Sequence, residues 1–323
     1  FHNQFVKRLL IQSVSKPGNT LIDLAVGKGG DINKWLEAKL SFVFGIDVSP
    51  DNINNRADGA CSRYIRMKQK VYNLYDAIFI EGNSGSSIKD GTAFSSDKNK
   101  QITQQLFALQ GKDTNMPSMV QKHYGVAKDG FDIVSCQFAM HYFFKDKLTL
   151  HAFMINVSDM CKIDGYFIGT CYDGIKVHEL LKDKKKDESI SIYKNEKEIL
   201  HITKKYSEEF FANDDTSLGY EIGVYQESIN KTFSEYLVNF YYIVRIFGLY
   251  GFTLISRDEA NEKHLHDGMP LFEDLYKKAE QRHKKNPSKW NRMKMDDTQK
   301  KISFLNRAFI FKKTNSIPEY IRN

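Results

Sequence analysis

Several features that would assign this sequence quickly to a class are scarce or missing. Its four cysteines, Cys61, Cys136, Cys161 and Cys171, are scattered over 323 residues. None forms a C-x-x-C pair, and no His/Cys cluster has zinc-ligand spacing, so no metal site is expected. Scattered thiols in a chain of this length suit a reducing compartment rather than a disulfide framework. No apolar run reaches the ~18 residues that a membrane span requires. The longest, 240–252, is broken by Arg245 and by glycines. No charged-then-apolar leader is present, so secretion is not expected. The chain starts at Phe1 instead of Met, and the expectation is a piece excised from something longer.

What is present is a foldable, moderately basic chain, with 41% hydrophobic and 13% aromatic residues and a net charge of +7. That balance permits a polyanionic partner without requiring one. A single domain over 1–323 is expected, since this length suits one large core.

Apolar spacing predicts a helix over 3–13, and Pro17-Gly18-Asn19 makes a turn. The run 20–24 reads as a buried strand, followed by Gly27-Lys-Gly-Gly30 and a helix containing Trp35 that Asp31 can cap. A second strand, 42–46, ends at Asp47. Strand, helix and strand in so short a stretch form a βαβ unit and imply a parallel sheet. Beyond it, a helix over 52–70, a strand over 75–80, a strand over 131–136, a helix over 147–162 and a strand over 165–170 are predicted. The polar stretch 84–129 reads as an insertion or mobile loop, with short helices near 101–110 and 118–124. Residues 182–230 read as a small β excursion on the substrate side. A helix over 234–249, a strand over 252–255, a polar helical stretch over 258–302 and a last strand over 307–312 complete the chain.

Alternating strands and helices predict a doubly wound α/β sheet, with ligands at the carboxyl ends of its strands. The glycine-rich turn after the first strand is the strongest local signal. Glycine serves where backbone takes positive φ or lies against a ligand, and the following helix offers free N–H groups to an anion. Asp47, twenty residues past Gly27, is placed to accept bonds from two ribose hydroxyls. Ala25 stands where G-x-G-x-x-G has its first glycine, which weakens a dinucleotide reading. S-adenosylmethionine carries no phosphate, so a looser turn suffices, and Asp23 can accept from its ammonium. A structural turn without a ligand is the plain alternative.

Two segments carry a family resemblance. Asp23-Leu-Ala-Val-Gly-Lys-Gly-Gly-Asp31 resembles the first motif of mRNA cap guanine-N7 methyltransferases, especially those of large DNA viruses, and Ser135-Cys-Gln-Phe-Ala-Met-His-Tyr142 resembles the family's S-C-Q-F-x-x-H-Y. Phe1-His-Asn3 with Lys7 resembles its amino-terminal helix, with one extra residue before the lysine. Gly165-Tyr-Phe-Ile-Gly-Thr170 also fits. The resemblance implies a Rossmann-like class I S-adenosylmethionine-dependent methyltransferase, with a mostly parallel seven-stranded sheet and helices on both faces. It implies cofactor contacts from Lys7, Asp23, Ala25, Gly27, Asp47, Gln137 and Tyr142, with Asn83 where the family has an acid. It implies cap contacts from Asn3, Lys28, Lys34, His141 and Glu235, and from an arginine matching Arg63 or Arg56, of which Arg63 precedes a tyrosine as in the family. A family tyrosine falls on Asn306 and is not carried over.

The implied reaction is methyl transfer to guanine-N7, releasing S-adenosylhomocysteine. That nitrogen has a lone pair and no proton, so no general base is needed. His141, Tyr142 and Glu235 would position the base, and Phe138, Tyr142 or Phe233 could stack on it. The same resemblance implies a capped mRNA 5′ end as partner, triphosphatase and guanylyltransferase domains in the same longer chain, a stimulatory subunit as in some viral relatives, and a host-cytoplasm or virion setting. Two other readings stay open: a methyltransferase with another substrate, and a non-catalytic cap- or RNA-binding subunit. Residue by residue, plain roles stay open too: His141 as a core histidine, Lys34 as a solvated helix lysine, Glu235 as part of a helix start capped by Ser234, and the lysines of 182–186 as a solvated turn.

Overall fold

The computed structural model describes residues 1–227, 230–283 and 286–322. Residues 228–229, 284–285 and 323, which fall within the expected excursion, helical stretch and domain bounds, lie outside the described residues. The strands are β1 (Thr20–Asp23), β2 (Phe42–Asp47), β3 (Asp76–Glu81), β4 (Phe131–Gln137), β5 (Cys161–Tyr172), β6 (Ser189–Lys194), β7 (Lys197–Lys204), β8 (Glu221–Gln226), β9 (Lys231–Tyr236), β10 (Phe252–Leu254) and β11 (Asn306–Lys313).

Seven of them form one sheet in the order β10-β11-β5-β4-β1-β2-β3. The pairings from β3 to β5 are parallel, and β11 is antiparallel to both its neighbours. Successive strand residues point to opposite faces, and each face meets its own core. Leu21 and Val43 pack into one, and Ile22 and Phe44 into the other. Helices therefore cover both sides, as the sequence implied.

The remaining strands form an antiparallel sheet, β6-β7-β8-β9, over a third core built on Tyr172, Leu200, Ile202 and Ile222. This excursion runs further than the expected 182–230, because β9 continues to Tyr236. The predicted helix over 234–249 is corrected accordingly. Asn239 caps a shorter helix, Phe240–Leu249, by accepting from the amides of Tyr241 and Tyr242. Ser234 caps nothing, and its hydroxyl donates to Glu221 across the sheet. The excursion leaves after Tyr172 and returns through Val238. There the Gly174 amide donates to Val238 O at 2.9 Å, and a Cβ on Gly174 would lie 2.5 Å from that oxygen.

Other expectations shift for local reasons. The first helix opens as a π-turn, His2–Val6, before Lys7–Val14. The helix over 52–70 is two, Pro50–Asn54 and Ala60–Lys68, separated where the Asn55 side chain accepts from the amides of Ala57 and Asp58. Asp31 stands at the N-cap of Ile32–Glu37 but makes no side-chain cap bond. The stretch 84–129, read as an insertion or mobile loop with short helices near 101–110 and 118–124, holds the helices Asp97–Leu106 and Ser118–Lys122. Ile88, Phe94, Ile102, Leu106 and Val120 are buried in the main core, and the Asn156 side chain bonds the backbone of Ser84, Ser86 and Ile88. Among the described residues, the span 258–302 holds the helices Arg257–Glu262, Phe272–His283, Pro287–Asn291 and Asp297–Ser303.

Candidate active site

The tips of β1, β2 and β4 lie side by side, and their motifs meet there. Asp47, at the end of β2, reaches into the glycine turn. One carboxylate oxygen accepts from Gly27 N at 2.7 Å, and the other from Ser49 N at 3.0 Å and Asn52 Nδ2 at 2.9 Å. Gly27 has φ +53°, and a Cβ built on it would meet nothing within 4 Å. The turn thus opens onto empty space at the strand tips. Asp23 accepts from Ala25 N at 3.1 Å and from the Ser135 hydroxyl at 3.3 Å. Burial, and then the neighbouring charge of Asp31, push its carboxyl up to about 7. Gln137 continues this chain, accepting from Thr170 and donating to Ser135. Asn83 is exposed, and its side-chain oxygen accepts from Gly85 N.

Behind the turn, Asp31 binds two lysines. Its oxygens lie 2.7 Å from Lys7 Nζ and 2.7 Å from Lys34 Nζ. Burial alone would raise this carboxyl, but the two ammonium groups hold it below its usual range. The pairing draws the amino-terminal helix onto the sheet.

After Gln137 the chain turns sharply. Phe138 adopts φ +57°, a conformation uncommon outside glycine, and the 3-10 helix Met140–Phe144 then presents His141 and Tyr142. With Phe233 and Glu235 of β9 they line a cavity of about 720 Å³. Asn3 of the amino-terminal turn and Lys7 at the start of the helix after it also line the cavity. His141 and Glu235 are both buried. Neither ring nitrogen of His141 nor Oε2 of Glu235 has a hydrogen-bond partner among the described residues. His141 Nε2 lies 3.6 Å from Glu235 Oε2. Burial lowers the imidazole to about 3 and raises the carboxyl to about 8. At neutral pH the pair is therefore uncharged, and its proximity is not an ion pair.

Of the residues expected at the cap, the cavity gathers Asn3, His141 and Glu235, together with Tyr142, expected as a cofactor contact and to position the base. Three others are elsewhere. Lys28 is drawn to Asp58 at 2.8 Å and Asp51 at 3.2 Å. Lys34 is buried against Asp31 and Gly30 O, so it is no solvated lysine. Arg63 lines a separate hollow of about 430 Å³ with Gly29, Arg66 and Lys70. Tyr172, Gln226 and Asn306 also line the cavity; no motif announced the first two, and Asn306 is the position of the family tyrosine that was not carried over. They sit on strands whose inward face shows only once the two sheets are paired. Among the described residues no cluster has the makings of a metal site.

The model of the mRNA (guanine-N(7))-methyltransferase domain matches residues 1–314. The chain belongs to this family. A protein named Probable mRNA-capping enzyme, from Acanthamoeba polyphaga mimivirus, is 27% identical over 248 residues, covering 73% of this chain and 19% of that protein. The mRNA cap guanine-N(7) methyltransferase 1 of Arabidopsis thaliana is 28% identical over 184 residues, 56% of this chain and 40% of its own. That of Caenorhabditis elegans is 30% identical over 182 residues, 54% and 39% respectively. The matched region thus spans between a fifth and two fifths of these relatives. In fold, the CcbJ methyltransferase of Streptomyces caelestis aligns with a TM-score of 0.50 at 8% identity, covering 97% of this chain and 90% of that one. No described helix is long and apolar enough to cross a membrane.

Proposed function

We propose that this chain transfers a methyl group from S-adenosylmethionine to guanine-N7 of the mRNA 5′ cap, releasing S-adenosylhomocysteine. The observation that carries the reading is the buried, unpartnered pair His141 and Glu235, side by side in the lining of one cavity. Buried polar atoms left without partners are costly, and a guanine supplies what both lack. Its ring N1–H and exocyclic amine are donors for Glu235, and O6 is an acceptor for the neutral imidazole of His141. Phe138, Tyr142 and Phe233 offer ring faces for the base.

The turn at Gly27 fits a nucleoside ligand, since its open space is flanked by Asp47 on one side and the buried carboxyl of Asp23 on the other. Asp47 would hold ribose hydroxyls, Asp23 the ammonium and Lys7 the carboxylate of S-adenosylmethionine. When bound, that cofactor supplies an electrophilic methyl group. The protein's own task is alignment, worth roughly 7–11 kcal/mol when both reactants are held in line. Neither His141 nor Glu235 needs to act as a base, because N7 has no proton to remove. An ionised Glu235 would stabilise the positive charge that grows on the purine.

This reading carries with it a capped RNA end as partner, triphosphatase and guanylyltransferase activities on the same longer polypeptide, a stimulatory subunit, and a cytoplasmic or virion setting. Similarity to the mimivirus protein named Probable mRNA-capping enzyme supports the capped RNA end and the longer capping polypeptide. The direct test uses labelled S-adenosylmethionine with capped RNA, uncapped RNA and GTP. Methylation of the capped RNA at N7, lost in both Glu235→Ala and Asp47→Ala, is the expected result. A loss in Asp47→Ala alone would point to a methyltransferase with another substrate. Cap binding with no transfer would point to a non-catalytic subunit.

A further inference from the structure

The positive charge of this chain is concentrated. Between 277 and 294 there are eight lysines and arginines against one acid, Glu280. That surplus equals the +7 of the whole chain, so the rest is balanced. Lys277 is neutralised by Glu273 at 3.0 Å and Asp274 at 3.9 Å. Lys278, Arg282, Arg292 and Lys294 have no acidic partner among the described residues. Burial, and then the nearby charge of Arg282, hold the Lys278 ammonium below its ordinary range. Like charges crowded without counter-ions attract a polyanion.

Their placement says which one. The segment leaves and rejoins the wall of the cavity. Phe272, at the start of its first helix, packs edge-on against His2 at 5.0 Å and Phe138 at 6.0 Å, both of which line the cavity. Gln299 and Ile302, in the helix that follows it, line the cavity directly. The amino-terminal turn is the partition. Asn3 and Lys7 face the cavity, while Gln4 and Arg8 line an outer hollow of about 350 Å³ with Arg292. Phe5 lines a second, of about 430 Å³, with Lys278 and Arg282.

We infer that this outer surface binds the single-stranded RNA that follows the cap, holding its phosphate backbone on Lys278, Arg282, Arg292 and Lys294. The direction of the chain rests on the cap reading above. Charge and position favour RNA over an acidic protein, because the same amino-terminal segment, residues 3–8, lines both the cavity and these basic hollows.

The test measures binding of uncapped RNA of about 16 nucleotides, the upper end of common single-strand site sizes, across a salt series. It also measures KM for a GpppG dinucleotide and for capped RNA of that length. Replacing the four cations by alanine should flatten the log–log salt slope by about 3, at roughly 0.7 for each phosphate no longer neutralised. It should abolish the KM advantage of long RNA and leave the dinucleotide KM unchanged. If that variant does not fold, the exposed pair Arg292→Ala and Lys294→Ala should lower the slope by about 1.4. An unchanged slope and affinity overturn the inference and leave an acidic protein as the partner of this surface. Binding of uncapped RNA does not need methyl transfer. Wild-type protein that binds it in this way but methylates no cap would sink the cap reading and spare the surface.

Discussion

His141 Nε2 stands 3.6 Å from Glu235 Oε2, beyond hydrogen-bond reach, so each group keeps its capacity for a third molecule. With the carboxyl at about 8 and the imidazole at about 3, proton uptake would compete with the proposed guanine binding at Glu235. Guanine donors favour the ionised form. Cap KM should therefore fall as pH rises from 6 to 8, by at most about tenfold per unit, and Glu235→Gln should flatten that dependence. Steady-state kinetics with capped RNA decide it. A wild-type KM indifferent to pH would contradict the assigned role.

The same carboxyl makes an opposite prediction for the unliganded fold. Its pKa is raised from the ordinary 4.5, so its contribution to stability is fully present below about 4.5. It is lost as pH rises through about 8. Urea denaturation without ligand should show wild-type protein losing ground to Glu235→Gln between pH 5 and 8.5.

Asp31→Asn should destabilise the fold by about 3–5 kcal/mol, because Lys7 and Lys34 would remain as buried cations without their anion. It should also lower the pKa of Asp23, which the charge of Asp31 helps to raise. Denaturant titration gives the first effect. Protection of the amides in Lys7–Val14 against hydrogen exchange shows whether the amino-terminal helix loosens with it.

Asp47→Ala removes the acceptor for Gly27 N, Ser49 N and Asn52 Nδ2 together. Hydrogen bonds to charged groups contribute about 1.5–3 kcal/mol each, so calorimetry should record at least a roughly tenfold loss of S-adenosylmethionine affinity. Asp47→Asn, which keeps one acceptor, should fall between.

Asp76 clamps the 84–129 stretch to the sheet edge, bonded to Lys122 at 2.6 Å, His123 at 2.9 Å and Lys68 at 3.0 Å. Burial opposes its ionisation, but those three partners hold the carboxyl well below its ordinary 3.8. Its contribution is present above about 3.8 and lost as pH falls below that. Asp76→Asn should accelerate amide exchange in Ser118–Lys122 at neutral pH while leaving β1 protected.

The sheet and its glycine turn were readable because the signal was local. The spacing of Gly27 and Asp47 follows from one βαβ unit and was realised as a hydrogen bond. The helix expected at 234–249 failed for a similar reason, since the alternation of Lys231–Tyr236 is a strand signal that ran into the apolar helix behind Asn239. Lys28 and Lys34 could be matched to a motif by position. Their actual partners, Asp51, Asp58 and Asp31, depend on side-chain reach that spacing does not encode. The burial of Ile88, Phe94 and Ile102 was hidden by polar neighbours, since isolated apolar residues reveal a core only when folding collects them.

Glu235 belongs to one sheet and Asp47 to the other, so the two reactants of the proposed transfer would be gripped by separate rigid layers. The chain leaves the first sheet and returns from the second where the Gly174 amide meets Val238 O. In the proposed transfer that crossing would act as a spacer for the chemistry. Bulk inserted there would prise acceptor and donor apart, slowing transfer while each partner still docked normally.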